Sequence, residues 1–312
     1  MITGKKSVRS PFDIDISEAG RGKLGSLKDI GVDRQTFLDK SFKFLFTRDP
    51  YWRIYSTYID KLYSPNIVFW NTWGNSIVRR NKLNRSVYKC GSGVPFSAFV
   101  HYVVTHLHKS DIHFIPMTTM CRVCDVHYDF VGRLENVVSD IEQLSHFLNI
   151  NSSFLHDKDY KLSSSVDAIK DSTSDSLHAW RSKVTACTSA LDLGRLIWRR
   201  LQTRGVIQHD IRFPYDSESK MKSVTAEEFR SKCTEAARQS TDKVKLKRQK
   251  LAGFYQAYRT VSINDMERLA AIYQQDFHIL GYERRPSELF DNRKTEDRDF
   301  DILDWKRDWD VL

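Results

Sequence analysis

Residues 42–63 read FKFLFTRDPYWRIYSTYIDKLY, and the fold turns on how that stretch is parsed. Phe44, Leu45 and Phe46 form a short apolar run suited to a strand covered on both faces. The run stops at Arg48. Asp49 then stands where a helix N-cap belongs and Pro50 at the first helical position, so the chain is predicted to turn there into a helix. Tyr51, Ile54, Tyr55, Tyr58, Ile59 and Leu62 recur at helical spacing and give that helix a face to bury, with Trp52, Ser56 and Asp60 off it. A strand feeding a helix start aims free backbone N–H groups, the positive end of the helix dipole and the Arg48 guanidinium at one spot. The stretch is expected to be both a piece of core and an anion site.

Outward from it, strands alternate with helices. Pro95 opens a helix whose Phe96, Phe99, Val100, Val103 and Leu107 form one stripe. IHFIPM (112–117) and YDFVGRLE (128–135) read as short strands, and Asn136 as the cap of a helix with Val137, Ile141, Leu144 and Leu148 on one face. That alternation predicts an α/β fold with a parallel sheet flanked by helices. Residues 1–154 are read as the core, with a mixed polar loop and short helix over 1–40. Residues 155–245 are rich in Ser, Lys, Asp and Thr, which predicts a polar insertion, partly ordered at best. It still holds a capping box at Thr225 and Glu228 and a basic amphipathic run over 193–201. Residues 246–282 return to the core through Phe254, Tyr255, Met266, Leu269, Tyr273 and Phe277, and 283–312 form a charged tail.

The chain of 312 residues is 40% apolar and carries a formal net charge of +9. Such an apolar content excludes a disordered chain, and the charge calls for an anionic partner. Between Lys43 and Lys89 nine Lys and Arg stand against two acids. Trp70 and Trp73 lie beside Arg79, Arg80, Lys82 and Arg85, an interleaving that suits single-stranded nucleic acid and equally a sugar-binding cleft. A nucleotide cofactor fits the same charge. No stretch approaches the ~20 apolar residues of a membrane span, and MITGKKSVRS has no signal-peptide run. Five cysteines are too few for a disulfide scaffold, and one must stay unpaired within a monomer. Cys121-x-x-Cys124, with His127 and Cys90, admits a metal site, a disulfide with Cys90 as a possible partner, or plain thiols. Asn84-Arg-Ser and Asn151-Ser-Ser are glycosylation sequons, relevant in a secreted chain.

Three segments in order resemble one family. FLFTRDPYWRIYSTY resembles the 3′-phosphate-binding motif of the Golgi carbohydrate sulfotransferases, within the group of chondroitin, dermatan and GalNAc 4-sulfotransferases. HFIPMTTMCRVCDVHYDFVGRLE is similar to that group's block of His-aromatic-x-Pro, Cys-x-x-Cys and Tyr-Asp-apolar-Val-Gly. RLAAIYQQDFHILGY resembles its closing segment, with WGNSIVRR and PFSAFVHYV as smaller matches.

The resemblance implies a P-loop-like sulfotransferase fold and transfer of a sulfuryl group from 3′-phosphoadenosine-5′-phosphosulfate (PAPS) to a hydroxyl of a glycan or glycosaminoglycan, of GalNAc or chondroitin type. It implies no metal and no nucleic-acid partner. The residues matching the donor motif are Arg48, Asp49, Pro50, Tyr51, Trp52, Arg53, Ile54, Tyr55 and Ser56, with Arg48 and Ser56 on the 3′-phosphate. His113 is the first candidate for the general base, with Glu135 and His127 as alternatives. The family's 5′-phosphosulfate loop has no counterpart here, so the chain is expected to be incomplete at its N-terminus, where a Golgi membrane anchor would also lie. The alternative reading is a non-catalytic relative that binds a glycan or nucleotide without turnover.

Overall fold

The computed structural model describes residues 33–156 and 158–291; most of the polar N-terminal stretch and of the charged tail lie outside the described residues. In chain order the elements that position the site are β1 (Phe44–Thr47), α1 (Pro50–Tyr58), α2 (Asn75–Arg80), α3 (Phe96–Thr105), α4 (Met117–Met120), β2 (Phe130–Arg133), α5 (Val137–Phe147), α6 (Ala190–Thr203), α7 (Ala226–Gln239), α8 (Lys243–Arg259), α9 (Ile263–Ile272) and α10 (Gln274–Leu280). The chain is helix-rich with a small parallel sheet, α/β in class. It divides into two units, residues 1–48 with 122–170, and 49–121 with 171–312.

The first unit holds the sheet. β1 and β2 pair in parallel from Phe44 opposite Phe130 to Thr47 opposite Arg133. Two residues of the Tyr-Asp-Phe-Val-Gly block set that register. Asp129 accepts the Lys43 N–H at 2.7 Å, and its own N–H donates to the Lys43 carbonyl at 2.8 Å. The Lys43 backbone bond, then the Lys43 ammonium, hold the Asp129 carboxyl below the usual range, against a smaller effect of burial. Gly132 lies under the Phe46 ring, where a Cβ would meet a ring carbon at 2.6 Å. The sheet is not covered on both faces as the apolar run predicts. Phe44 is 50% exposed and Val131 49%, while α5 packs on the ribbon and brings Phe147 beside Phe42 and Phe130.

The second unit is helical. Its IHFIPM segment is not the expected strand but a series of turns that ends at α4. The Asp111 carbonyl accepts from Phe114 and Ile115, the Asp111 carboxylate accepts the His113 N–H, and Pro116 has no N–H to give a ladder. Residues 165–245, read from sequence within a partly ordered insertion, contain α6 and α7, each with a side-chain N-cap, and the capping box at Thr225 and Glu228 is formed. α6 buries Leu193, Ile197, Trp198 and Leu201 together with Arg199, Arg200, Gln202 and Thr203. Much of this polar surface is paired: Arg200 with Asp60 and Asp171, the Gln202 amide nitrogen with the Gln208 carbonyl and the Thr203 hydroxyl with the Arg200 carbonyl, while Arg200 Nε and Gln202 Oε1 have no hydrogen-bond partner among the described residues. Burial pushes the Asp60 carboxyl up, but Arg200, Lys61 and Arg204 together hold it below the usual range. Composition signals disorder only while such partners are unknown.

Cys90 is bonded to Cys187, 97 residues away, and not to the Cys-x-x-Cys pair. Cys121 and Cys124 are free thiols. Among the described residues, no helix is long and apolar enough to cross a membrane.

Candidate functional site

β1 ends at Thr47 and α1 begins at Pro50, so Arg48 and Asp49 make the whole connection. Asp49 is the N-cap, its Oδ1 accepting the Trp52 N–H at 3.0 Å while its carbonyl accepts from Arg53 at 2.9 Å. Pro50 has no N–H. The expected group of free amides therefore reduces to Tyr51, and the capping carboxylate already answers the helix dipole. Anion binding at this turn must then rest on side chains.

The side chains of α1 divide sharply. Tyr51, Ile54, Tyr55 and Tyr58 are buried. Tyr51 donates to the Arg284 carbonyl at 2.6 Å, its carbonyl accepts from Tyr258 at 2.7 Å, and its ring lies 5.1 Å from Phe277. Trp52 stacks on Phe254 with centroids 4.0 Å apart, and the Lys250 ammonium lies 5.7 Å from its ring. Arg53 reaches sideways: its Nη2 donates to the carbonyls of Ile112 (3.1 Å) and Ile115 (2.8 Å). Of the nine motif residues, Pro50, Tyr51, Trp52, Ile54 and Tyr55 pack, Asp49 caps and Arg53 tethers. Arg48 and Ser56 are both half-buried, and the Ser56 hydroxyl makes no hydrogen bond among the described residues.

Tyr55 carries a test of that division. Its hydroxyl is buried without a hydrogen-bond partner among the described residues, and burial drives its pKa far up. Tyr55→Phe should leave stability unchanged or raise it by up to about 1 kcal/mol, since an unsatisfied hydroxyl is removed without a cavity. A thermal melt checks this; a fall of several degrees would show that the hydroxyl has a partner in solution.

The Arg53 tether brings a second group to the helix. His113 lies between the two carbonyls that Arg53 holds, with its Nδ1 2.7 Å from Asp111 Oδ1. A carboxylate only accepts, so Nδ1 carries the proton of this bond, which leaves Nε2 as the acceptor of the neutral ring. The rings of Trp73 (5.3 Å) and Phe69 (6.0 Å) stand edge-on to the imidazole. Sequence reasoning had His113 but not Asp111; an Asp two residues upstream is the local signal for this turn. Glu135 and His127 are exposed, in the other unit.

The closing Tyr-x-x-Asp-Phe segment holds this arrangement. Tyr273 donates to the Phe114 carbonyl at 2.5 Å. Asp276 accepts from the Met117 and Thr118 N–H groups at 2.8 and 2.9 Å and from the Thr118 hydroxyl at 2.6 Å.

Comparison with known proteins gives a family. The family model described as "Sulfotransferase family" covers residues 15–199. Carbohydrate sulfotransferase 8 of Homo sapiens is 35% identical over 116 residues, 35% of this chain and 27% of that protein. Carbohydrate sulfotransferase 14 of Mus musculus is 32% identical over 137 residues, 42% of this chain and 35% of its own length. Carbohydrate sulfotransferase 11 of Rattus norvegicus is 29% identical over 149 residues, 45% of this chain and 42% of its own. The chain thus spans between 27% and 42% of the length of these three relatives. No solved structure matches the chain.

Proposed function

From the premise that this chain belongs to the sulfotransferase family, we propose that it is a carbohydrate sulfotransferase that moves a sulfuryl group from PAPS to a glycan hydroxyl. Its acceptor on this reading is of GalNAc or chondroitin type, and the fold is P-loop-like. The segment from Arg48 to Ser56 takes the donor's 3′-phosphate, with Arg48 giving charge-assisted bonds and Ser56 a hydroxyl donor. The Tyr51 N–H is the one first-turn amide left for it. PAPS supplies an activated sulfuryl group on a phosphate leaving group. With that donor bound, His113 Nε2 would take the proton of the acceptor hydroxyl as its oxygen displaces 3′-phosphoadenosine-5′-phosphate (PAP) from the sulfuryl group.

The observation that carries the reading is the Arg53 tether, which fixes the Asp111–His113 pair against the helix of the donor motif. The Cys90–Cys187 bond supports an oxidising compartment, in keeping with a Golgi lumenal enzyme.

The test is a calorimetric titration with PAP beside labelled-sulfate transfer to chondroitin. His113→Ala should lower turnover by about 10²–10⁴-fold with PAP affinity within about twofold of the parent. Unaltered turnover removes His113 as the base. PAP binding without any transfer by the parent chain favours a non-catalytic relative.

A further inference from the structure

The basic stretch after α1 has a concavity that the donor motif does not use. Asn71, Asn75, Arg79, Arg85 and Tyr88 line a cavity of about 470 Å³, within the range of ~300–1,000 Å³ usual for small-molecule sites. Its lining holds no carboxylate. Neither guanidinium forms an ion pair among the described residues, so both charges are available to a ligand.

The wall is set before any ligand arrives. A Cβ on Gly91 would meet the Trp70 carbonyl oxygen at 2.3 Å and the Asn75 nitrogen at 2.4 Å, and one on Gly74 the Gly91 carbonyl oxygen at 2.2 Å. The helical run before α2 and the turn Lys89–Gly91 therefore touch backbone to backbone, and Cys90 in that turn is bonded to Cys187. A site held in this way loses little freedom on binding. By helical spacing Asn71 and Asn75 share one face, while Phe69 and Trp73, which flank His113, share the opposite one.

We propose that this cavity is a docking subsite for an acidic pyranose unit of a saccharide chain, one bearing a carboxylate or a sulfate, separate from the His113 chemistry. The two guanidiniums suit an oxyanion, the carboxamides and the Ser76 hydroxyl suit ring hydroxyls, and the Tyr88 ring offers a flat surface to the apolar face of a sugar. Nucleic acid fits less well. Base-stacking grooves need a series of accessible aromatics, and Trp70 and Trp73 are buried, with the Trp70 indole donating to the Leu62 carbonyl. The choice of a saccharide over other oxyanions rests on the glycan reading above.

Binding, not turnover, tests it. The full chain is titrated with an unsulfated chondroitin hexasaccharide (carboxylates only), a 6-O-sulfated N-acetylglucosamine oligosaccharide (sulfates only) and neutral chitohexaose, with PAP titrated in parallel. Arg79→Ala/Arg85→Ala should weaken whichever acidic saccharide binds by at least about tenfold and leave PAP affinity and the melt unchanged. The carboxylate and sulfate arms identify the anion. Arg79→Lys/Arg85→Lys should recover part of the affinity, because charge is kept and the planar fork is lost. Equal affinity in parent and double-alanine variant overturns the proposal, as does equal binding of chitohexaose or tighter binding of a single-stranded oligonucleotide lost in the same variant. Failure of the parent to bind PAP counts against the donor assignment alone.

Discussion

Asp276→Ala is expected to destabilise the protein by about 3–5 kcal/mol. The carboxylate is 1% exposed and accepts three hydrogen bonds, from two adjacent backbone amides and a hydroxyl. Alanine would leave all three donors buried and unpaired, at about 1–3 kcal/mol each before relaxation, and coupled groups lose less than their sum. At roughly 2–4 °C per kcal/mol the melting temperature should fall by on the order of 10 °C. Asp276→Asn keeps one accepting oxygen and turns an amide towards a donor, so it should lie between parent and alanine. A loss under about 1 kcal/mol in denaturant unfolding would mean that α4 is held by its other contacts. The effect should reach function as well. Asp276 and Tyr273 fix residues 114–118, so the turn that carries His113 loosens with them. Two motifs about 160 residues apart in the chain act as one structural part.

That coupling marks where sequence reading succeeds and where it stops. β1, the Asp49–Pro50 helix start, the helix after Pro95, β2 and the capping box at Thr225 were legible, because their causes lie within a few residues of each other. IHFIPM was not, since a short apolar run has no period to separate strand from turn and the deciding bonds come from Asp111 and Asp276. Cys90 and Cys187 carry no spacing signal at all. The polar run from 155 to 245 reads as loose in sequence because pairs such as Arg200 with Asp60 join residues 140 apart. For residues 48–56, the turn into a capped helix was legible. Which of its side chains face the core depends on Phe254, Tyr258 and Phe277, all distant in sequence.

Arg48→Ala is expected to lower PAP affinity by about 10²-fold and labelled-sulfate transfer by at least as much. A charge-assisted hydrogen bond contributes about 1.5–3 kcal/mol, and a guanidinium on a phosphate makes two. The local charges strengthen the case. Asp49 places a carboxylate on the Trp52 amide at the head of α1, which by itself repels an incoming phosphate. Arg53, the other cation of the motif, is held by the Ile112 and Ile115 carbonyls. Without Arg48 the Asp49 carboxylate at the helix entry is offset only by Arg53, whose Nη2 is turned to those carbonyls. Arg48→Lys should recover part of the loss, because it restores the charge without the fork. Asp49→Ser is the complementary variant: a serine still caps α1 and removes the anion, so PAP should bind as tightly as to the parent or tighter. PAP affinity unchanged in Arg48→Ala, with the melt intact, would move the 3′-phosphate away from residues 48–56. Weakened binding in both Arg48→Ala and Asp49→Ser would instead mean that the cap geometry, not the charge balance, presents the site, so the pair separates electrostatics from helix-start architecture.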